Sequence, residues 1–243
     1  GIQDFTALTR LECNFNQLDS LDVSNLTALT YLDCWANDLT NLDVSSNTAL
    51  FSLYCGGNEL PILDVSNNTA LGGLSCHNND LTSLDVSANT ALTFLECYGN
   101  PLGGLDLSSN TSLTTLRCVG NQLTSLDVSA NTALVELRCN NNELFHLNMK
   151  NGVTDALTFY ATGNSLDCIE VKAEDVEYAT ENWTYANGNI DEGVEFSVVC
   201  APEGYTYVPD DNFEQALIDL GYDEVLNDFV LTENISGVTQ LNV

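Results

Sequence analysis

Cysteines at positions 13, 34, 55, 76, 97, 118 and 139 recur with an unbroken period of 21 residues. A fixed period of that length specifies a stack of one short unit, because a single unit cannot bury its own apolar side and must lean on its neighbours. In the same frame Leu21, Leu42, Leu63, Leu84, Leu105, Leu126 and Leu147 recur, as do Asn16, Asn37, Asn58, Asn79, Asn100, Asn121 and Asn142. Each unit reads L-x-x-L-x-C-x-x-N-x-L-x-x-L-D-V-S-x-N-T-A. Strand side chains alternate between faces, so Leu11 and Cys13 point inward while Arg10, Glu12 and Asn14 point outward. Stacked copies of that strand predict a parallel sheet. An inward Asn is costly unless its amide bonds the backbone of its own or an adjacent coil, so the Asn column reads as structural. The cysteines, in register and parallel, read as small buried hydrophobes rather than bonded pairs. They lack the tetrahedral Cys/His clustering of a metal site.

These residues resemble the leucine-rich repeat, with cysteine at the third apolar position of the short strand. The closer likeness is to the cysteine-ladder repeats of bacterial surface proteins of the internalin type, which "LDVSANTALTFLECYGNPL" at residues 84–102 matches almost throughout. The likeness covers residues 6–166, and the last coil keeps the pattern through Phe159, Ala161, Asn164 and Leu166 only after one inserted residue. The expected fold is an α/β-type repeat solenoid: a right-handed leucine-rich-repeat coil of roughly eight turns, with short parallel strands and a mostly non-helical convex side. The resemblance implies export to the cell surface or medium.

Three segments are expected: the solenoid at 1–166, a C-terminal cap at 167–204 and a helical cap-like segment at 205–243 that starts a further array. Ala173–Trp183 predicts a short helix with Val176, Ala179 and Trp183 on one face. Cys168 and Cys200 stand outside the ladder, and in an oxidising compartment their expected fate is a disulfide closing a loop of roughly 30 residues, stabilising by about 3 kcal/mol. In the last segment Asn212–Leu220 predicts an amphipathic helix with Phe213, Ala216, Leu217 and Leu220 on its apolar face and Gly221 at its end. "VPDDNFEQALIDLGY" (208–222) looks like the N-terminal cap of such arrays, while Leu241 and Val243 fall where Leu21 and Val23 fall in a repeat. Two explanations stand: a window on a longer protein with tandem arrays, or a segment that covers the open first coil of the next molecule and grows a filament. The second draws on Phe213, Leu217, Leu220, Leu241 and Val243 at one end and Ile2, Phe5 and Leu8 at the other.

With 5 Lys and Arg against 35 Asp and Glu, the formal charge of -30 argues against nucleic acid and anionic membrane surfaces. No stretch approaches the roughly 18 apolar residues of a membrane span, and no cleavable signal pattern stands at Gly1. Catalysis needs convergent groups with a base near neutrality. Only His77 and His146 are available, on different sides of their coils, and no phosphate loop, nucleophile elbow or zinc motif occurs. The chain therefore reads as non-catalytic, with no cofactor. Calcium is the alternative for the column Asp22, Asp43, Asp64, Asp85, Asp106 and Asp127, whose charges repel at a spacing of ~4.8 Å. Hydrogen bonds from Ser24, Ser45, Thr27 and Thr48 with salt screening are the simpler compensation. The outward positions of the strands predict a recognition surface on the concave side: Tyr31, Asp33, Trp35, Tyr54, His77, Phe94, Glu96, Tyr98, Arg117 and Arg138. Aromatics and Arg dominate protein interfaces, and aromatics beside carboxylates also suit sugar rings. A protein partner or a second copy of the chain is the leading expectation and a glycan is the alternative.

Overall fold

In each unit the Leu of Leu-x-Cys is the middle residue of a three-residue strand and the Cys directly follows it, and the structure builds the coil from that strand. The computed structural model describes residues 1–152, 157–201, 204–208 and 210–241. They form two compact units, Gly1–Ser197 and Val198–Val243.

The first unit carries strands β1 (Arg10–Glu12), β2 (Tyr31–Asp33), β3 (Ser52–Tyr54), β4 (Gly73–Ser75), β5 (Phe94–Glu96), β6 (Thr115–Arg117), β7 (Ser125–Asp127), β8 (Glu136–Arg138), β9 (His146–Asn148), β10 (Thr158–Tyr160), β11 (Cys168–Glu170) and β12 (Glu195–Ser197). Eight of them pair in parallel in the order β1-β2-β3-β4-β5-β6-β8-β10. The register places Leu11, Leu32, Leu53, Leu74, Leu95, Leu116, Leu137 and Phe159 in one row. The one-residue insertion before Phe159 is absorbed without loss of pairing. A second parallel sheet, β12-β11-β9-β7, forms at the L-D-V position of the last coils, which the repeat pattern had left without regular structure.

The core is a column of apolar rows. Leu32, Cys34, Leu39, Leu50, Leu53 and Cys55 are fully buried, as are their equivalents through Leu144. In the first coil Leu8, Leu11, Cys13, Leu18 and Leu21 are only partly buried, for they have neighbours on one side alone. All seven ladder cysteines are free thiols, and burial drives their pKa upward, to about 12 for Cys34 and Cys139. Outside the ladder, Cys168 and Cys200 are disulfide-bonded.

Two asparagine ladders hold the turns. Asn58 donates to the carbonyls of Cys34 (3.1 Å) and Cys55 (3.0 Å) while its Oδ1 accepts the N–H of Leu39 (3.0 Å), so one buried amide ties two coils together. The second ladder was not singled out in the repeat: Asn47, Asn68, Asn89, Asn110 and Asn131 are fully buried. Asn89 donates to Val65 (3.0 Å) and Asn68 (2.9 Å), and the pattern repeats coil by coil. Their Oδ1 atoms accept no hydrogen bond, a cost that the two donated bonds offset. Two residues past each ladder cysteine the backbone turns left-handed: Phe15, Ala36, Gly57, Asn78, Gly99, Gly120 and Asn141 all have φ between 50° and 68°. Gly and Asn suit that conformation; Phe15 and Ala36 adopt it because the coil around them dictates it.

The end of the first unit is closed by a 3-10 turn, Ala173–Asp175, and helix α1 (Val176–Asn182). Ala179 is buried and Trp183 packs on Phe159 (4.8 Å between ring centres) and Phe196 (5.9 Å). The second unit is an antiparallel hairpin, β13 (Tyr205–Tyr207) with β14 (Phe229–Leu231), plus helices α2 (Asp211–Asp219) and α3 (Thr232–Ile235). Asp210 caps α2 by accepting the N–H groups of Asn212 and Phe213, and Gly221 follows it at φ 78°. The buried face of α2 differs from the expected stripe. Leu217 is buried, but Phe213 and Leu220 are 37% and 48% exposed, and the fully buried partner of Leu217 is Glu214. The small core of this unit is Val208, Leu217 and Val230, so the helix turns Phe213 toward an open groove instead. Val243 lies outside the described residues.

Candidate functional site

The outward positions of the eight-stranded sheet converge on one face, and the residues there bond to each other across coils. Arg10 lies over the Tyr31 ring, its guanidinium carbon 3.5 Å from the ring centre, and Tyr31 meets Tyr54 at 5.5 Å. Trp35 contacts Phe15 edge to face at 4.3 Å. His77 stacks on Tyr98 at 4.5 Å and 18°. Phe94 lies under Arg117 at 5.9 Å. Asp33 accepts the N–H of Trp35 at 3.2 Å, and burial pushes its carboxyl upward.

The column that follows each cysteine explains why His77 sits where it does. Its members run Asn14, Trp35, Gly56, His77, Tyr98, Val119 and Asn140. Gly56 has no side chain, so the imidazole leans over it, and Trp35 and His77 come within 6.1 Å across the gap. A Cβ at Gly56 would stand 2.5 Å from the His77 ring. His77 is consequently 9% exposed, far less open than an outward strand-end position suggests.

Beside it runs a continuous polar chain. The Ser75 hydroxyl is 2.8 Å from His77 Nδ1 and donates to Glu96 Oε2 at 2.9 Å. With the hydroxyl proton committed to the carboxylate, Nδ1–H donates to Ser75 and Nε2 is left as an acceptor. Arg117 donates to Glu96 Oε1 (2.8 Å) and, through Nε and Nη2, to both oxygens of Glu136 (3.0 and 3.1 Å). Arg138 donates to Glu136 at 2.7 Å and lies over Tyr160 at 5.5 Å. The bonds from Arg117 hold Glu136 below the usual carboxylate range, and those carboxylates in turn raise the Arg117 guanidinium. Burial lowers the His77 pKa, with Glu96 opposing the shift.

All ten residues expected on the recognition surface lie on this face. Sequence reasoning missed Ser75 and Glu136, which connect them, and Gly56, which seats His77. The visible signal was the run of small residues Ser52, Gly56, Gly72, Gly73 and Ser75 among aromatic and charged equivalents in neighbouring coils. His146 stands elsewhere, on β9, 4.0 Å from Glu170. The Asp column is compensated chiefly by the serines: Ser45 holds Asp43 below the usual range through its hydroxyl and its N–H (2.9 Å), Ser66 and Ser87 do the same for Asp64 and Asp85, and Asp22 and Asp127 accept in addition from Gln3 and Asn148. Among the residues drawn on for assembly, Phe213, Leu217 and Leu241 line one groove of the second unit, of about 380 Å³, with Leu220 at a separate depression. Ile2 and Leu8 pack partly against the first coil and Phe5 is exposed.

A family model described as the LVIVD repeat matches residues 52–72, the length of one unit. No curated protein matches the chain. Among solved structures, the functional domain of InlJ from Listeria monocytogenes, which includes a cysteine ladder, is 27% identical over 76% of this chain and 59% of its own, with a TM-score of 0.48. An internalin of the same organism, InlF, is 26% identical over 59% of this chain and 44% of its own, with a TM-score of 0.57. A leucine-rich-repeat protein of Leptospira interrogans is 18% identical over 82% and 64%, with a TM-score of 0.60. The chain spans less than two thirds of each of these proteins. Among the described residues no helix is long and apolar enough to cross a membrane. In fold and in repeat, this chain is similar to the leucine-rich-repeat proteins of the internalin type.

Proposed function

We propose that this chain is a non-catalytic recognition module, exported to the cell surface or medium, that binds a protein partner across the sheet face from Tyr31 to Arg138. The observation that carries this reading is the shared bonding of that face. Ser75, His77, Glu96, Arg117, Glu136 and Arg138 lock each other across four coils, and rings stand on either side. A surface whose aromatic and Arg side chains are already held in place loses little entropy on binding, which is how a few residues come to dominate an interface. Ser75 is 2% exposed, so its hydroxyl is not offered to a substrate, which supports a binding role over a hydrolytic one. The test is affinity capture of surface and secreted proteins with the wild-type chain, Trp35→Ala and Arg117→Ala. Each variant is expected to lose the captured partner, about 30-fold or more in affinity for a central residue. A partner held equally by both variants would remove the face from the assignment.

A glycan-binding reading rests on the Trp35, Tyr54 and Tyr98 rings beside Asp33 and Glu96. A glycan array separates it from protein recognition, since sugar binding would be lost in Trp35→Ala and Tyr98→Ala. The exposed Phe213, Leu220 and Leu241 and the partly open first coil support a further proposal, head-to-tail association of copies. Light scattering before and after deletion of Tyr205–Val243 tests it, and assembly unchanged by the deletion would end it.

A further inference from the structure

The second unit holds a cluster of acids with nothing of opposite charge in its own sequence. Asp211, Glu214 and Asp228 each place a carboxylate oxygen within 4.8 Å of the other two. Residues 198–243 contain no Lys, Arg or His. Glu214 is 0% exposed. One of its oxygens accepts the N–H of Asn227 at 2.8 Å, and the other, equally buried, has no hydrogen-bond partner. The nearest helix N–H groups do not compensate it: Asn212 and Phe213 donate to Asp210, and Glu214 donates its own N–H to the Asp210 carbonyl. A fully buried carboxylate with one oxygen unpartnered, beside two further acids, is costly for a fold to keep without a cation.

We propose that Asp211, Glu214 and Asp228 bind a calcium ion. All the donors are carboxylate oxygens, the preference of a hard cation, and no nitrogen or thiol stands among them to favour zinc or copper. Within that class calcium accepts irregular sets of carboxylates at about 2.3–2.6 Å, whereas magnesium demands a near-ideal octahedron and sheds its waters reluctantly. The ion would join the start of α2 to the turn between Asn227 and Phe229. Asp228 holds φ 66° there while its carbonyl accepts the N–H of Val208, so the bound ion would tie helix and hairpin together where the core is only a few residues deep. The site is distinct from the Asp column of the coils, whose carboxylates are exposed and served by serines.

The test uses the full chain stripped with chelator and titrated with CaCl2 or MgCl2 by calorimetry, alongside scanning calorimetry with and without millimolar calcium. One calcium per chain is expected, with magnesium weaker, and a transition that moves to higher temperature with calcium. Glu214→Gln and Asp228→Asn should lose the stoichiometric binding and the shift. Asp211→Asn, at an exposed position where folding is not at stake, should weaken binding by about tenfold or more. Asp85→Asn, in the coil column, should change neither. If wild-type melting ignores calcium, or if the shift survives in Asp211→Asn and Glu214→Gln alike, the site does not exist. If Glu214→Gln fails to fold, Asp211→Asn and Asp228→Asn decide alone.

Discussion

At the scale of single residues, the buried amides and thiols carry the clearest consequences. Replacing Asn89 by Ala removes two donated bonds and leaves the Val65 and Asn68 carbonyls inside the coil without donors. The expected loss is about 2–4 kcal/mol, read by urea denaturation. The ladder thiols are buried, with pKa values raised by desolvation, so native protein should resist iodoacetamide at Cys34 through Cys139 and react at all of them once unfolded. Two titrations separate by pH. His77 has a folded pKa below its unfolded value near 6.5, so as pH falls through about 6.5 the unfolded chain takes up a proton that the folded chain refuses, and stability declines. His77→Gln should flatten that decline between about pH 7.5 and 5.5 in denaturation curves. Asp64 and Asp85 have folded values below their unfolded ones, so their contribution is present above about pH 4 and is lost only as pH falls further through the folded pKa.

At the scale of elements, neighbouring coils determine one another's side chains. Gly56 on the coil of β3 decides where His77 on the coil of β4 rests, so Gly56→Ala should displace the ring and break its bond to Ser75. The fold would survive, because the change lies on the outer face, while the His77 ring signals in NMR shift and partner affinity falls. Helix α2 shows the limit of reading an element by its own pattern. Its approximate extent and its end at Gly221 were legible, since a terminal Gly acts locally. Which face it buries was not, because three apolar residues core the second unit and the turn at Asn227 donates to Glu214. An isolated helical stripe could not anticipate that partner.

At the scale of the whole molecule, stability in the first unit is a sum over coils and their interfaces, while the second unit has its own small core. Deleting Tyr205–Val243 should leave the main transition of the coils in place and remove the calcium-dependent one in calorimetry. A charge of -30 with a column of exposed aspartates implies self-repulsion over short distances. Raising the ionic strength should therefore raise the melting temperature of the coils with magnesium or sodium as readily as with calcium, a control that separates screening from site binding.

The 21-residue period alone determined the coil, its parallel register, its free and buried cysteines and its Asn ladder, since a strict repeat presents every unit with the same neighbours and so the same solution. Residues that break the repeat were decided only by tertiary contact. Ser75, Glu136 and Gly56 acquire their roles from side chains about 21 residues away on the next coil, and Glu214 from a turn across its unit. No local spacing announces such contacts, because they depend on which surfaces the finished stack brings face to face.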